Sequence, residues 1–174
     1  MDLHASPAIG WIFHDRDLDY LLWEVNDVAH KLDPDIPTKD FYVGAQVSRY
    51  PTSWTGHAHP QEKYYDKRRG KTLECPNGRV TMSFGEDVSE NRIRRLFAHE
   101  LRHLGQFERG RKETGQLNLR HMYRLLVEPD CIAFEGRVLR EMGLPDEYSD
   151  RTDQAFKALN RHSDKLDAAG IDLS

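Results

Sequence analysis

The sequence is poor in cysteine. It has two, Cys75 and Cys131, and no CxxC pair. A disulfide framework and a zinc ribbon are thereby excluded, and a reducing cytosol is the expected compartment. No apolar run approaches the roughly 18 residues that a membrane span needs. The first stretch, MDLHASPAIGWIFHDRD, carries acids and no long apolar segment, so a secretory leader is not expected. Positive charge is not in excess: 25 Lys and Arg stand against 29 Asp and Glu, a net charge of −4. A dedicated nucleic-acid binder is basic, so neither nucleic acid nor membrane is an expected partner. Internal repeats and low-complexity tracts are also missing.

What is present is enough for one domain. A chain of 174 residues buries roughly 70% of its unfolded surface and needs no metal merely to fold. Three Trp, seven Tyr and seven Phe supply core material. The apolar positions Leu18, Leu21, Leu22, Val25, Ala29 and Leu32 recur at helical period and predict a helix from Leu18 to Leu32. Asp17 is placed to cap it, and Asp33-Pro34 ends it. Phe41, Val43, Ala45 and Val47 alternate as in a half-buried strand. Residues 51–70, rich in Pro, Gly, Thr, Ser and basic residues, read as a long loop. Pro76-Asn77-Gly78 is a turn signal between Thr72–Cys75 and Arg79–Phe84 and predicts a hairpin, with Val80, Met82 and Phe84 on one face.

Three helical blocks follow. The first runs from about Glu90 to Phe107 behind Ser89 as N-cap. The second covers Leu117 to Met142, where Pro129 must kink the helix or start a new one. The third runs from about Arg151 to Ala169. Strands clustered ahead of helices predict an α+β domain with a small, mainly antiparallel sheet, the whole of 1–174 forming one unit.

The informative residues are His99-Glu100-Leu101-Arg102-His103. Positions i and i+4 share a helix face, so both imidazoles can reach one Zn²⁺ at about 2.0–2.1 Å. Glu100, one step round, can take a proton from a water that zinc has made acidic. In a chain of this composition HExxH arises by chance only about 0.03 times. On a helical wheel the stripe Ile93, Leu96, Phe97, Leu104 and Phe107 takes in or borders Glu100 and His103, with Arg94, Arg95 and Arg102 on the opposite side. The motif therefore faces the interior, where a metal offsets the cost of burying it.

A hydrolytic zinc site wants a third protein ligand and an open position. HExxHxxGxxH is not met, because positions 106 and 109 are Gln106 and Arg109. Glu108, Glu113, His121, Glu128, Asp130 and Glu135 remain as candidates.

With these residues in view the chain resembles a minimal zincin of the gluzincin type. Glu128-Pro129-Asp130-Cys131-Ile132-Ala133-Phe134 is similar to the Glu-Ala-Asn/Asp-x-Phe-Ala segment of ImmA/IrrE-like peptidases, with Pro129 in place of the usual Ala. The strand followed by HExxH also resembles SprT-like peptidases. The likeness spans roughly Arg79 to Leu139. It implies a zincin-like fold and a zinc metallopeptidase acting on a polypeptide substrate. Its ligands would be His99, His103 and Glu128, with Glu135 or Asp130 as alternatives for the third. Glu100 would be the general base, and Val80–Phe84 or a neighbouring strand the sheet edge that receives substrate backbone. An oxyanion-stabilising donor is expected from His121, Tyr123 or Tyr148. A non-catalytic binding module on the same scaffold and a metal hydrolase of a non-peptide amide are the rival readings.

Weaker signals read as ordinary surface or core. His57-Ala58-His59 could ligate from an extended segment, since alternate residues share a face. The clusters at 67–71 and 109–112 are expected to be solvated loop faces, and Cys131 a small core residue.

Overall fold

The structure, a computed structural model, describes residues 1–5, 9, 18–67, 70–115 and 126–162. Six strands and four helices lie among them: β1 Asp2–Ala5, α1 Leu18–Leu32, β2 Tyr42–Val47, β3 Trp54–His59, β4 Lys63–Asp66, β5 Lys71–Glu74, β6 Arg79–Phe84, α2 Glu90–Thr114, α3 Val127–Glu141 and α4 Ser149–Asn160. The α+β class is as expected. No described helix is long and apolar enough to cross a membrane.

The sheet differs from expectation. Its order is β1-β2-β6-β3, and it is mixed rather than mainly antiparallel. β1 and β6 both run parallel to β2, and only β3 is antiparallel to its neighbour β6. The loop foreseen over residues 51–70 contains β3 and β4. β5 pairs with β4 in a separate two-stranded sheet, so the hairpin joining Thr72–Cys75 to Arg79–Phe84 does not form. The turn itself is real: the Gly78 N–H donates to the Cys75 carbonyl (2.8 Å), with Gly78 at φ 89°. It passes the chain from one sheet to the other, because the Asn77 side-chain amide donates to Lys39 O (2.9 Å) and Tyr42 N to Gly78 O (3.3 Å). Those bonds set Arg79 beside Tyr42, the start of the β2–β6 ladder.

Strand alternation places Val43, Ala45, Val80, Met82 and Phe84 on the inner face, where they meet Leu21, Leu22 and Val25 of α1 and Ile93, Phe97 and Leu101 of α2 in one apolar cluster. A smaller cluster, including Val127, Ala133, Ala155 and Leu159, joins α3 to α4.

The Ser89 side chain accepts from Arg92 N as an N-cap should, and Gly115 closes α2 in the left-handed region, two turns beyond the expected end at Phe107. Pro129 starts a helix rather than kinking one. It sits in the first turn of α3 behind Leu126, where backbone N–H groups have no intrahelical acceptor to lose. The part of that block before 126, the cap at Asp17 and the end of the last helix beyond 162 lie outside the described residues.

The wheel of α2 needs correction. Arg94, Arg95 and Arg102 are buried, not turned to solvent. Arg102 donates to both oxygens of Asp130 (2.7 and 2.8 Å) and to Asp33 (2.6 Å). Arg95 pairs with Glu135 (2.8 Å) and Asp146. Arg94 reaches Glu90 (3.0 Å). The helix is surrounded: apolar groups cover one side and acids of α3 and the loops cover the other.

Burial opposes the charge on Asp33, but the guanidinium groups of Arg102 and Arg109 outweigh it and hold its carboxyl below the ordinary value. Asp146 is lowered too: burial again opposes, and hydrogen bonds from Thr152 and Tyr148 N together with Arg95 prevail. Each group therefore contributes stability above its unfolded pKa of about 4 and loses it as pH falls through its lower folded value. Acid unfolding followed by circular dichroism should show a steep loss of stability below about pH 4. The limb should be shallower in Asp33→Asn, whose starting stability is lower.

Candidate metal centre

Two helices build the site. α2 carries His99, Glu100 and His103 at its middle, and α3, the element packed most extensively against it, brings Glu128, Cys131 and Glu135 across. The imidazoles of His99 and His103 stand edge to face with centroids 5.0 Å apart. One ligand atom from each of His99, His103 and Cys131 lies within 4.8 Å of the others, a cluster that could hold a metal ion.

The nitrogens are differentiated by what each faces. Glu128 presents one oxygen to His99 Nε2 (3.3 Å) and the other to His103 Nε2 (3.4 Å). Glu128 thus spans the two rings through separate oxygens, at ion-pairing distance, and is not itself one of the three residues of that cluster. The Nδ1 edges point elsewhere. Glu135 lies 3.4 Å from His99 Nδ1 and is itself held by Arg95. His103 Nδ1 is 3.0 Å from Gln106 Oε1. The Gln106 amide nitrogen donates to Asp130 (2.8 Å) and Val127 O (3.2 Å), so its oxygen must be the end that faces the imidazole. An amide oxygen only accepts, so His103 carries a proton on Nδ1 toward Gln106 while its Nε2 edge faces the Glu128 carboxylate.

Two buried tethers thus hold the two rings. One runs His99–Glu135–Arg95–Asp146, ending on the loop before α4. The other runs His103–Gln106–Asp130–Arg102–Asp33, ending after α1. Gly136 lets the first tether close, because a Cβ there would lie 2.5 Å from Thr152 Cγ2 and 3.1 Å from Asp146.

Charge is strongly coupled in the metal-free chain. Burial disfavours a proton on His99, but Glu128, Glu135 and Glu100 overcome it and lift its pKa to about 9. Hydrogen bonds from His103 and His99 hold the Glu128 carboxyl well below the ordinary range. Burial raises Glu100 above the ordinary carboxylate value, against the opposing pull of the two imidazoles. Cys131 is fully buried, which pushes its thiol pKa up; its sulfur is 3.4 Å from His103 Nδ1, on the ring edge away from Glu128.

Glu100 is packed against β3. A Cβ at Gly56 would lie 2.7 Å from Glu100 Oε1 and 2.9 Å from Leu96 Cδ1, so only glycine lets the strand pass this close. β3 pairs with β6 on one side and with no strand on the other among the described residues. The sheet edge beside the motif is therefore Trp54–His59. Val80–Phe84 is interior, paired on both sides. Gly56→Ala is expected to displace the Glu100 carboxylate and to impair any reaction that uses it by at least about tenfold, the order of effect of a misplaced catalytic group. Steady-state kinetics alongside thermal unfolding would separate this from simple destabilisation.

Of the candidate third ligands, Glu128 alone faces both Nε2 atoms among the described residues. Glu135 faces the back of His99, Asp130 is taken up by Arg102 and Gln106, and Glu108 pairs with Arg111. Glu113 is exposed near the end of α2. Tyr148 packs on Trp54, with ring centroids 6.0 Å apart, and over Arg95, one turn before His99 on α2. His121 and Tyr123 lie outside the described residues. His57 and His59 do share the outer face of β3, with rings 6.3 Å apart, but they join no metal-binding group among the described residues. Cys131, expected to be only a small core residue, is the third member of the cluster that could hold a metal ion, and Gln106, Glu135 as a buttress, and Gly56 are further site residues that motif reading missed. No family model matches this chain, and no curated protein or solved structure matches it either.

Proposed function

We propose that the chain is a zinc-dependent hydrolase of the HExxH type that cleaves peptide bonds. The observation that carries this reading is the Glu128 carboxylate set across the Nε2 atoms of His99 and His103 while Glu100 lies buried beside a strand edge unpaired among the described residues. His99, His103 and Glu128 would hold the ion, and three protein donors leave a fourth position for the reaction. The ion supplies Lewis acidity, polarising a scissile carbonyl and bringing a water's deprotonation near neutral pH.

The chain's own residues do the rest. Glu100, whose pKa is raised by burial, accepts the water's proton on its carboxylate and hands it to the departing amine. Glu135 and Gln106 keep the Nδ1 protons in place, so the Nε2 lone pairs stay aimed forward. The open edge of β3 offers backbone N–H and C=O groups to an extended polypeptide, which would lie alongside Glu100 as an added strand.

Cys131 supports a second reading. Were its thiolate to ligate together with His99 and His103, the ion would lie on the Nδ1 side of His103, away from Glu128, and would be structural. Cys131→Ala distinguishes the two. On the catalytic reading it leaves one zinc per chain by elemental analysis and leaves turnover near wild type.

The direct test is Glu100→Gln. It should retain stoichiometric zinc and lose at least about a hundredfold in turnover, measured by mass-spectrometric profiling of cleavage products from an unfolded-protein mixture. Full activity in that variant refutes Glu100 as the base. Cleavage of esters or small amides with no peptide products would move the substrate class away from polypeptide.

A further inference from the structure

The edge strand beside the motif carries an aromatic pair that the hydrolytic chemistry does not use. Trp54, Gly56 and Ala58 alternate on the face of β3 turned to α2, where Trp54 and Ala58 pack on the main core. Gly56 is the point at which the strand lies against Glu100. Trp54 is two residues back on the same face, about 7 Å away at 3.3–3.4 Å per residue. Its ring is 6.0 Å from that of Tyr148, inclined by 38°, and both side chains are only half-buried.

Both rings are fixed from behind. The turn ahead of β3 is bonded to the end of β6: Gly85 N donates to Ser53 O (2.8 Å) and Asp87 N to Pro51 O (3.0 Å), and the Ser53 hydroxyl donates to Ser48 Oγ (2.6 Å). A Cβ at Gly85 would fall 2.0 Å from Pro51 O, so that contact requires glycine. Tyr148 N donates to Asp146 Oδ1 (3.0 Å), and the Tyr148 carbonyl accepts from Arg151 N (2.9 Å) and Thr152 N (3.1 Å) at the head of α4. Asp146 is also the far end of the tether that reaches His99 through Arg95 and Glu135. The aromatic pair is thus held in a set relation to the metal centre, and a site prepared in this way loses little entropy on binding.

The pair offers ring surface and not charge. The guanidinium of Arg95, 4.9 Å from the Tyr148 ring centre, is committed to Glu135 and Asp146, and that of Arg92 faces Glu147 at 3.8 Å. A polypeptide strand added to the free edge of β3 turns alternate side chains toward α2. The residue opposite Gly56 meets no side chain from the strand and lies at Glu100, so it flanks the scissile bond. Its neighbour on that face, two positions along, arrives at Trp54. We infer that Trp54 and Tyr148 form a specificity site of the same cleft, which receives a large aromatic or aliphatic side chain at the second or third substrate residue from the scissile bond. This rests on the hydrolase reading and narrows its substrate class to polypeptides with such a residue.

The test uses the full zinc-loaded chain. Cleavage sites in an unfolded-protein mixture, aligned on the scissile bond, should show Phe, Tyr, Trp, Leu or Met enriched at the second or third residue on one side. For two peptides that differ there only as Phe or Ala, kcat/KM should favour Phe by at least about tenfold, and Lys or Glu at that position should do no better than Ala. Trp54→Ala should bring the Phe-to-Ala ratio close to one. Trp54→Phe and Tyr148→Phe keep a ring at each position and should keep the preference. A second readout needs no turnover: the Glu100→Gln chain should bind the Phe peptide at least about tenfold more tightly than the Ala peptide, with a shift of the Trp54 indole N–H in ¹⁵N–¹H spectra. That measurement stands even if Trp54→Ala fails to fold. Cleavage without preference at these positions, a ratio that a folded Trp54→Ala leaves intact, a preference lost in Tyr148→Phe, or binding that leaves the Trp54 indole unmoved overturns the specificity site while the hydrolase reading survives. Full cleavage by Glu100→Gln overturns the hydrolase reading instead, and with it this inference.

Discussion

Glu128→Ala is expected to abolish stoichiometric zinc binding, and with it all metal-dependent turnover. In the folded chain this carboxylate is the group that meets both imidazole Nε2 atoms, at 3.3 and 3.4 Å. Its removal leaves two nitrogen donors, which is one short of the three that hold a zinc with an open position. Affinity should fall by well over the roughly 10–100-fold that losing a supporting residue costs. Competition with a chromophoric chelator measures it. Stability should respond differently. Glu128 is largely exposed and lies in the first turn of α3, but it and the imidazoles hold each other charged, so the metal-free variant should unfold modestly below the metal-free wild type. Zinc should then raise the unfolding temperature of the wild type and leave that of Glu128→Ala unchanged, because only a folded state that binds the ligand is stabilised by it. Glu135→Gln is the informative companion. Glu135 stands behind His99, so its loss should weaken zinc by about 10–100-fold without abolishing the site. Equal loss in both variants would remove the distinction drawn between ligand and buttress.

That distinction was half legible in the chain itself. Glu128 and Glu135 are seven residues apart and share a helix face, so spacing brings both toward His99 and cannot say which meets Nε2. The answer depends on where α3 starts. Pro129 fixes that start, leaving Glu128 in the first turn near the mouth of the site and Glu135 two turns deeper beside Arg95. His99, Glu100 and His103 were readable because their geometry is local to one helix. The arginines of the same helix were misplaced for the complementary reason. A charge on the non-apolar side of a wheel is assigned to solvent unless its partner is known, and the partners of Arg95 and Arg102 are Glu135, Asp146, Asp130 and Asp33, at sequence distances from 28 to 69 residues. Gln106 gave no signal at all: its role comes from Asp130 holding its amide nitrogen.

In the sheet, α1 and the inward alternation of β2 and β6 followed from hydrophobic period. β3 did not, because Trp54–His59 is an edge strand of Trp, Thr, Gly, His and Ala flanked by Pro51 and Pro60, with too few large apolar residues to show alternation. The mixed topology was hidden by the same strand. With β3 read as loop, the Asn77-Gly78 turn appeared to join neighbours. In the fold it carries the chain from β5 to the middle of the other sheet, between β2 and the unseen edge. The residues that make the edge hard to read are those that suit it to the proposed chemistry: Gly56 is what allows the strand to lie against Glu100.

Arg102→Met should be the most destabilising single change in the chain. Arg102 is buried and bound to Asp130 through two hydrogen bonds and to Asp33 through a third. Its neutral replacement fills the space but strands two buried carboxylates. Breaking a buried pair in this way costs about 3–5 kcal/mol, which in a chain of this size lowers the unfolding temperature by roughly 10 °C. Arg109 also reaches Asp33 (3.0 Å) and should limit the damage at that end, so the larger part of the loss belongs to Asp130. Adding Asp130→Asn to Arg102→Met should then recover stability, since the stranded charge is gone. Full additivity of the two changes would instead mean that the pair is not energetically coupled. The same double variant tests the second tether. The side-chain amide introduced by Asp130→Asn keeps an oxygen that can accept from Gln106, so zinc affinity should return with stability. Gln106→Leu in the otherwise wild-type chain should lose about 10–100-fold in zinc affinity, because nothing then holds the proton of His103 on Nδ1. Recovery of stability without recovery of affinity would mean that the charge on Asp130, and not only its hydrogen bond, reaches the imidazole through Gln106.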